Sequence, residues 1–436
     1  MQLKKCYKMK GLKFIVVIFL LLSNILLAQG SWIKLSKPTD KNLKSVFFIN
    51  SLVGWIAGDS GIILKTTDGG NSFHHQQSNL TTTIHNLFFT DSIHGWGLTW
   101  HQNEFGPYGT TFLFTTNGGE TWTNFQYPKD FTFLYSIFFK DALNGFVCGE
   151  PGLILKTTNG GLEWVETKIA TNPFSNFPIV KIDFLNESFG LGCGGVRDIF
   201  GVIWQTSDGG ENWSAQAIGP EPIMDFQIID TNLVVAVGGD YEYGCVVSTS
   251  FDKGQTWYYR NLDIFGIGNS IAFRTPYEGW INLHGESKFL VSTDSGSTWS
   301  EYLVIDSLRP NKIIFTDSLH GYAICDSGYV LKYIPPQQTN VETSFQLNQK
   351  NDQIKINVFP NPFNSVTKIK ITSNHLITKI ELYNLLGEKI KDYSNFNSSQ
   401  KEISLRLNGN ELSSGTYIVV VKSVDSIVSE KIILMK

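Results

Sequence analysis

Short apolar segments that end at a polar corner and resume at a glycine followed by a large apolar residue recur along most of the chain. The clear occurrences are Phe47-Phe48 to Gly54-Trp55, Phe88-Phe89 to Gly95-Trp96, Phe138-Phe139 to Gly145-Phe146, Phe184 to Gly190, Phe273 to Gly279-Trp280, and Phe315 to Gly321-Tyr322. One further unit is degenerate and has Val234 at the glycine position. Short apolar strands separated by polar turns predict an all-β fold.

A second repeat follows each pair of strands in the first six units. Its eight residues run from Thr or Ser through Asp or Asn and glycine to a final Trp or Phe, at residues 66–73, 115–122, 157–164, 206–213, 250–257 and 292–299. The second glycine position recurs every 42 to 49 residues. A period in the forties built from short strands predicts the blades of a β-propeller. We call this turn the Asp-box.

Each position of the Asp-box has a mechanical reason. The acid or amide side chain is expected to accept hydrogen bonds from backbone N–H groups two residues on, and the glycine to adopt a positive φ. The final aromatic residue is expected to bury its ring between neighbouring sheets. The repeated acids and amides are therefore predicted to be structural, not catalytic: Asp68, Asn117, Asn159, Asp208, Asp252 and Asp294.

The chain contains seven first strands but only six Asp-boxes. The seventh unit stops at Pro335-Pro336 without an outer strand, whereas an unassigned segment, Ser31 to Leu35, precedes the first unit and looks like the segment after each box. We expect this N-terminal strand to complete blade seven, because closing the ring removes exposed sheet edges. Residues 31–334 are thus predicted to form a seven-bladed β-propeller closed by its N-terminal strand.

The N-terminus has the order of a secretory signal peptide: five lysines, the apolar run Phe14 to Leu22, and small residues at Ala28-Gln29-Gly30. Removal of residues 1–30 is predicted to leave no stable membrane span. It also changes the formal net charge from −4 (35 basic and 39 acidic residues) to −9 (30 basic and 39 acidic). So acidic a chain argues against nucleic acid as a partner.

Four cysteines remain after that cleavage: Cys148, Cys193, Cys245 and Cys325. They lack CxxC spacing and histidines at metal-site distance, so the sequence predicts no metal site, and no cofactor motif stands out. Cys148 and Cys193 fall at equivalent places in adjacent blades, which leaves a disulfide open, although burial as small apolar residues is favoured.

The composition changes after the last propeller strand. Residues 335–353 are rich in Pro, Gln, Asn and Thr and are predicted to be a linker. Residues 354–436 then show strands of alternating apolar and polar residues, such as Thr367 to Ile371 and Tyr417 to Val421. This alternation predicts a small C-terminal Ig-like β-sandwich.

Four ordered motifs give this module a family resemblance. Val358 to Phe363, Leu382 to Gly387, Leu412 to Tyr417 and the ending Lys431 to Lys436 resemble the type A sorting domain of the type IX (Por) secretion system. The resemblance implies a Bacteroidetes-type bacterium and export through the outer membrane. The partners it implies, through residues 354–436, are the secretion machinery and its sortase, which releases the protein or attaches it to the cell surface.

The propeller has its own resemblance. The Thr-Thr-Asp-Gly-Gly turns and Gly54-Trp55-Ile56-Ala57-Gly58 resemble the Asp-box (BNR-like) repeats of photosystem II assembly factors, related in form to sialidase repeats. A sialidase would need an arginine cluster, and the propeller contains only Arg197, Arg260, Arg274 and Arg309. A glycoside hydrolase acting on neutral sugars, with its site on the central channel face, stays open because it needs only two facing carboxylates.

Departures from the repeat indicate a candidate binding surface. Three blades connect their second and third strands by longer segments, around residues 100–108, 195–200 and 240–243, and residues 171–178 join the same face. An aromatic and acidic rim there suits a glycan or protein partner, although the segments could simply cover the blade ends. The predicted binding residues are Trp100, His101, Glu104, Phe105, Tyr108, Arg197, Asp198, Asp240, Tyr241 and Tyr243. The sequence thus predicts a non-catalytic binding or scaffold protein, with a secreted glycoside hydrolase as the alternative.

Overall fold

Regular structure in the described residues consists of thirty-six β-strands and four single-turn 3-10 helices. The computed structural model describes residues 30–336, 354–373, 376–384, 388–393, 402–423 and 427–434. Residues 1–29 of the predicted signal peptide, most of the predicted linker, and the motif residues 385–387 and 435–436 lie outside them. The chain divides into two compact units, Met1–Gln338 and Thr339–Lys436. The predicted all-β fold class is confirmed.

The first unit is built from seven sheets, here numbered in chain order of their first strands. Sheet 1 contains Leu43–Phe48, Gly54–Gly58, Ile63–Thr66 and His74–Gln76; sheet 2 contains Ile84–Phe89, Gly95–Asn103, Gly106–Thr115 and Thr123–Gln126; sheet 3 contains Phe133–Phe139, Gly145–Glu150, Leu153–Thr157 and Val165–Glu166. Sheet 4 contains Ile179–Phe184, Gly190–Val196, Phe200–Thr206 and Asn212–Gly219, with Lys168–Ile169 added in parallel; sheet 5 contains Ile223–Ile228, Val234–Asp240, Gly244–Ser250 and Tyr258–Asn261. Sheet 6 contains Gly268–Phe273, Gly279–Leu283, Lys288–Ser292 and Ser300–Leu303; sheet 7 contains Pro310–Phe315, Gly321–Cys325, Val330–Ile334 and the N-terminal Ser31–Lys34. The short 3-10 helices are Asp59–Gly61, Ile305–Ser307, Asp326–Gly328 and, in the second unit, Gly409–Glu411.

Hydrogen bonds join the first strands of neighbouring sheets at equivalent residues. The Ser45 hydroxyl oxygen accepts the backbone N–H of Leu87 at 2.9 Å, and Asp225 Oδ2 accepts that of Ile271 at 2.9 Å. Because equivalent residues of neighbouring first strands lie side by side, the corresponding ends of neighbouring sheets lie on the same side of the first unit. We call the side with the connections between second and third strands, and between sheets, the upper face. The Asp-boxes lie at the opposite ends, on the lower face.

The Asp-box geometry agrees with the prediction in conformation but not in hydrogen bonding. Gly69 and Gly70 have positive φ values of 68° and 83°. Asp68 Oδ1, however, accepts the backbone N–H of Ser72, four residues on and not two as expected, at 2.9 Å. The two left-handed glycines turn the chain back, so the fourth residue's N–H meets the carboxylate. The same bond recurs in the other five boxes.

Apolar cores fill the spaces between neighbouring sheets. The box residue Trp122 of sheet 2 is buried among Trp55 and Ile63 of sheet 1 and Ile84 of its own sheet. Box tryptophans of sheets 3 to 6 take part in the corresponding clusters. The four cysteines of this unit are free and buried, which confirms the predicted burial.

The N-terminal strand pairs with the end of sheet 7, as the sequence predicts. Ser31–Lys34 runs antiparallel to the strand Val330–Ile334, with Trp32 opposite Tyr333. Trp32 packs against Trp280 and Phe289 of sheet 6, at ring-centroid distances of 5.6 Å and 5.3 Å. It thereby fills, between sheets 6 and 7, the place that a box aromatic residue fills elsewhere.

Sheets 7 and 1 also contact each other. Phe48 stacks on Tyr322 at 3.9 Å, and the Tyr322 hydroxyl donates to the carbonyl of Ser51 at 2.8 Å. Lys332 Nζ donates to the carbonyl of the box residue Gly69 at 2.9 Å. Other sheets bond to a box glycine carbonyl of the next sheet in the same way.

The second unit consists of two antiparallel sheets around one apolar core. One sheet contains Lys355–Phe359, Val366–Thr372 and Glu402–Asn408, and the other contains Lys389–Asp392, Ile377–Asn384, Gly415–Ser423 and Ile427–Leu434. Ile369 and Leu382, from different sheets, are both in the shared core. Asn361 of the Pro-Asn-Pro turn accepts the N–H of Ile433 at 2.8 Å and donates to the carbonyl of Lys431 at 2.7 Å. These bonds connect the first of the four motifs to the last strand.

Candidate functional site

A central cavity of about 570 Å³ is lined by the first strands of all seven sheets. Each first strand has a β-bulge immediately before one residue, which lines the cavity in sheets 2 to 7. All seven residues at this position are polar or charged, and we call them the girdle: Ser45, Asn86, Ser136, Lys181, Asp225, Ser270 and Lys312. Several girdle side chains accept a hydrogen bond from a backbone N–H in the first strand of the neighbouring sheet. The girdle therefore also joins the sheets.

Lys181 and Asp225, two of the three charged residues of the girdle, are already engaged. Lys181 Nζ donates hydrogen bonds to Asp225 Oδ1 and to the carbonyl of Phe226. Asp225 Oδ2 accepts a hydrogen bond from the backbone N–H of Ile271. Burial lowers the pKa of Lys312, and burial raises the pKa of the nearby Asp183 carboxyl. Within residues 30–336, Asp225 is the one acidic side chain lining this cavity. Both of its oxygens have structural partners.

The predicted insertion at residues 100–108 forms an extended hairpin and not an irregular loop, because the second and third strands of sheet 2 continue to Asn103 and from Gly106. Phe105, near its tip, is 89% exposed. Glu104 beside it is exposed as well. The Tyr108 hydroxyl donates to Asp130 at 2.7 Å. These residues form a tip that projects from the upper face.

Trp100 and His101 lie at the base of the hairpin and are not part of its exposed tip. The Trp100 indole N–H donates to the carbonyl of Leu134 at 3.2 Å, and its ring lies 4.7 Å from that of His85 at the cavity wall. Burial lowers the pKa of His85 to about 4, which keeps this imidazole neutral. His101 Nδ1 lies 3.2 Å from the Thr111 hydroxyl. Trp100 therefore belongs to the cavity mouth and not to the exposed tip.

Phe131, in the connection from sheet 2 to sheet 3, extends the exposed tip. Its ring lies 4.9 Å from that of Tyr108, and it is largely exposed. Phe131 was not among the predicted binding residues, because that prediction rested on the longer connections within blades and on one connection between blades. Phe174, in that one connection, instead packs against Phe200 at 5.1 Å and partly covers the core of sheets 3 and 4.

The remaining predicted residues converge at the upper ends of sheets 4 and 5. Asp198 lies in the sheet 4 connection and Asp240 ends the second strand of sheet 5. Together with Glu242 they bring carboxylate oxygens within 4.8 Å of one another. Glu221, which the sequence analysis missed, lies beneath them, and burial and the charges of Asp240 and Asp198 raise its pKa. We call Asp198, Glu221, Asp240 and Glu242 the acidic corner.

Aromatic residues border this corner. The Tyr241 hydroxyl lies 2.7 Å from His284 Nδ1 of sheet 6, and its ring is 5.9 Å from that of the exposed Phe265. Tyr243 is exposed, and the neighbouring Glu242 charge raises its pKa. Arg197 lies close enough to lower the pKa of Glu221. The structure thus groups the predicted residues into two separate places, the sheet 2 hairpin and the acidic corner with its aromatic border.

Comparisons with known proteins find a family match in each part of the chain. Residues 357–435 match the family described as secretion system C-terminal sorting domain, and residues 74–223 match the photosynthesis system II assembly factor YCF48 family. The chain combines YCF48-type Asp-box repeats with a C-terminal sorting domain. The sorting domain assigns the protein to export by the type IX (Por) system, to the cell surface or the medium.

Curated relatives share a short stretch. The photosystem II assembly lipoproteins Ycf48 of Trichormus variabilis and of a Nostoc species are each 40% identical over 67 residues, which is 15% of this chain. The match spans 20% of the length of these relatives. In the described part of the chain, no helix has the length and apolar character needed to span a membrane.

Solved structures share the propeller fold. A structure of YCF48 bound to D1 peptide has a TM-score of 0.55 at 19% identity and covers 70% of this chain and 96% of that one. YCF48 from Cyanidioschyzon merolae gives 0.57 at 19% identity, with 70% and 99% covered. A GH74 xyloglucanase from Xanthomonas campestris gives 0.52 at 10% identity, with 92% and 68% covered. At these identities the likeness shows the fold alone.

Proposed function

We propose that the protein is an exported, non-catalytic binding or scaffold protein whose propeller recognises a protein segment or glycan through its upper face. In this proposal residues 31–334 are a seven-bladed propeller closed by the N-terminal strand, and residues 335–353 link it to the sorting domain at residues 354–436. The sorting domain serves export through the secretion machinery and its sortase, whereas binding belongs to the propeller.

Closure of the propeller is supported by the repetition of one interface. Each neighbouring pair of sheets has an apolar cluster between them, and the pair formed by sheets 7 and 1 has one as well. Lys332 reaches the Gly69 carbonyl as Lys65 reaches that of Gly118. With the N-terminal strand in place, sheet 7 has four strands like most of the others, and a ring whose last interface repeats the others leaves only short strands as edges.

The observation that carries the binding proposal is the set of exposed aromatic side chains on the upper face. In water such rings are costly unless a partner covers them, and they offer a large contact area with little conformational entropy to lose. They lie on the sheet 2 hairpin and beside the acidic corner: Phe105, Phe131, Tyr241, Tyr243 and Phe265. The YCF48 structure with a bound peptide supports a protein segment as the first class of partner to test.

The occupied girdle supports binding over catalysis at the centre. A glycosidase needs two carboxyl groups facing the substrate. In the described residues the cavity lining contains a single carboxyl group, that of Asp225. Its two oxygens accept hydrogen bonds from Lys181 and from the backbone N–H of Ile271. A secreted glycoside hydrolase remains the second candidate, because the xyloglucanase shares the fold; hydrolysis of a neutral polysaccharide by the purified protein would establish it.

The test combines a peptide and glycan array with two hairpin variants. Replacing residues 100–108 by Asp-Ser-Gly, the connection of sheet 1, should abolish binding, and Phe105→Ser should weaken it. The matched control is Leu52→Ser, an exposed apolar residue on the lower face. It should bind like the parent. If both hairpin variants bind every array ligand as the parent does, the hairpin only covers the blade end and is not the binding site.

A further inference from the structure

The acidic corner gathers four carboxylates from three separate chain segments. Asp198 comes from the connection in sheet 4, Glu221 from the connection between sheets 4 and 5, and Asp240 and Glu242 from the connection in sheet 5. Oxygens of Asp198, Asp240 and Glu242 all lie within 4.8 Å of one another. None of the ion pairs within residues 30–336 involves any of the four groups. The corner thus concentrates negative charge, and the nearby Arg197, whose charge lowers the pKa of Glu221, forms no ion pair with any of the four groups.

Glu221 gives a second and independent indication. Its side chain is only 2% exposed, and it lies close enough to Asp240 and Asp198 for their charges, together with burial, to raise its pKa. Within residues 30–336 its Oε2 atom is buried and has no hydrogen-bond partner. Burying a carboxylate oxygen without a partner is costly, and more so beside other carboxylates. A cation bound by the three neighbouring carboxylates would offset the repulsion that this buried carboxylate experiences.

The local backbone leaves the facing oxygens free. Asp240 Oδ1 accepts the N–H groups of Glu242 and Tyr243 at 2.9 Å and 2.7 Å, which fixes the turn and leaves Oδ2 available. Asp198 has a positive φ of 59°, a conformation that Asp and Asn tolerate better than most residues. The two turns therefore present their carboxylates from fixed backbone positions.

We infer that Asp198, Asp240 and Glu242 bind a calcium ion beside the buried carboxylate of Glu221. All three donors are carboxylate oxygens, which hard cations prefer, and the group contains no histidine or cysteine that would favour zinc or copper. Calcium accepts irregular arrangements of six to eight oxygens, including waters at an exposed edge, whereas magnesium requires a compact octahedron. The sequence analysis predicted no metal site, since the ligands form no motif along the chain.

Calcium at this corner would join sheet 4 to sheet 5 and order the turns that carry Tyr241 and Tyr243. This inference does not depend on the identity of the binding partner, because the ion would bind in the partner's absence. Failure to bind a peptide or glycan therefore leaves it intact, and failure to bind calcium leaves the hairpin proposal intact.

The test is calorimetric titration of the full chain, stripped with a chelator, with CaCl₂ and separately with MgCl₂. Asp198→Asn keeps the left-handed backbone and removes one charge, and Glu221→Gln keeps the buried shape. Glu104→Gln is the control, since it removes an exposed charge from the same face. We expect one Ca²⁺ per chain, binding weakened about 10- to 100-fold in the two corner variants, and unchanged binding in the control.

Melting curves provide the second measurement. Calcium should raise the melting temperature of the parent and of Glu104→Gln, and should leave that of Glu221→Gln nearly unchanged. Three results would each overturn the inference: no saturable calcium binding below about 1 mM, the weak end for extracellular sites; equal affinity in both corner variants and the parent; or magnesium binding as tightly as calcium.

Discussion

Replacing Trp32 by alanine tests whether the N-terminal strand closes the propeller. Trp32 is 4% exposed and packs between sheets 6 and 7, against Trp280, Phe289 and Tyr333. Burying about 200 Å² of aromatic surface at about 25 cal/mol per Å² corresponds to about 5 kcal/mol. Partial relaxation of the cavity brings the expected loss to about 4 kcal/mol, on the order of 8 °C in melting temperature for a domain of this size.

The assay is urea and thermal unfolding of the full chain, compared with two matched variants. Trp122→Ala removes an Asp-box tryptophan of similar burial, 5% exposed, between sheets 1 and 2. It should cost within about 1 kcal/mol of the Trp32 variant, because the two rings play the same role. Trp32→Phe should cost much less, because the buried indole Nε1 of Trp32 has no hydrogen-bond partner in residues 30–336. If Trp32→Ala unfolds like the parent while Trp122→Ala is strongly destabilised, the N-terminal strand does not close the ring.

Three other predictions address the Asp-box, a buried ion pair and export. Hydrogen bonds from Ser72 lower the pKa of Asp68 from 3.8 to about 2. The stability that the charged carboxylate contributes is therefore complete above pH 4 and is lost as the pH falls through 2. Asp68→Asn should remove this part of the acid sensitivity of the melting temperature, and a pH profile identical to that of the parent would contradict the prediction. Glu278→Ala leaves the guanidinium of Arg274, its buried ion-pair partner, without a counter-charge and should cost about 3 kcal/mol in urea unfolding; a loss below about 0.5 kcal/mol would mean that the pair is solvated. Deleting residues 354–436 should leave a folded propeller in the periplasm, because each unit has its own core; normal surface display of the truncated protein, detected by antibody labelling of intact cells, would refute the role of the sorting domain.

The repeat could be predicted from the sequence because the same local turn recurs in each unit that has an Asp-box. A strand that must turn sharply and bury an aromatic ring needs glycine at a left-handed position and an acceptor beside it, so Asp68, Gly70 and the final aromatic residue recur at fixed spacing. The same logic predicted the pairing of the segment around Trp32 with the last strand of unit seven. Alternating apolar positions likewise predicted the two-sheet module that carries the sorting motifs.

Contacts between distant segments were decided by the tertiary structure alone. Trp100 was expected on an exposed loop, but continuation of the strands turns it toward His85 at the cavity mouth. The acidic corner could not be predicted, because Glu221 meets Asp198 and Asp240 only when sheets 4 and 5 pack side by side. A local pattern encodes how a strand turns, whereas side chains from separate segments become neighbours only through the packing of the sheets that carry them.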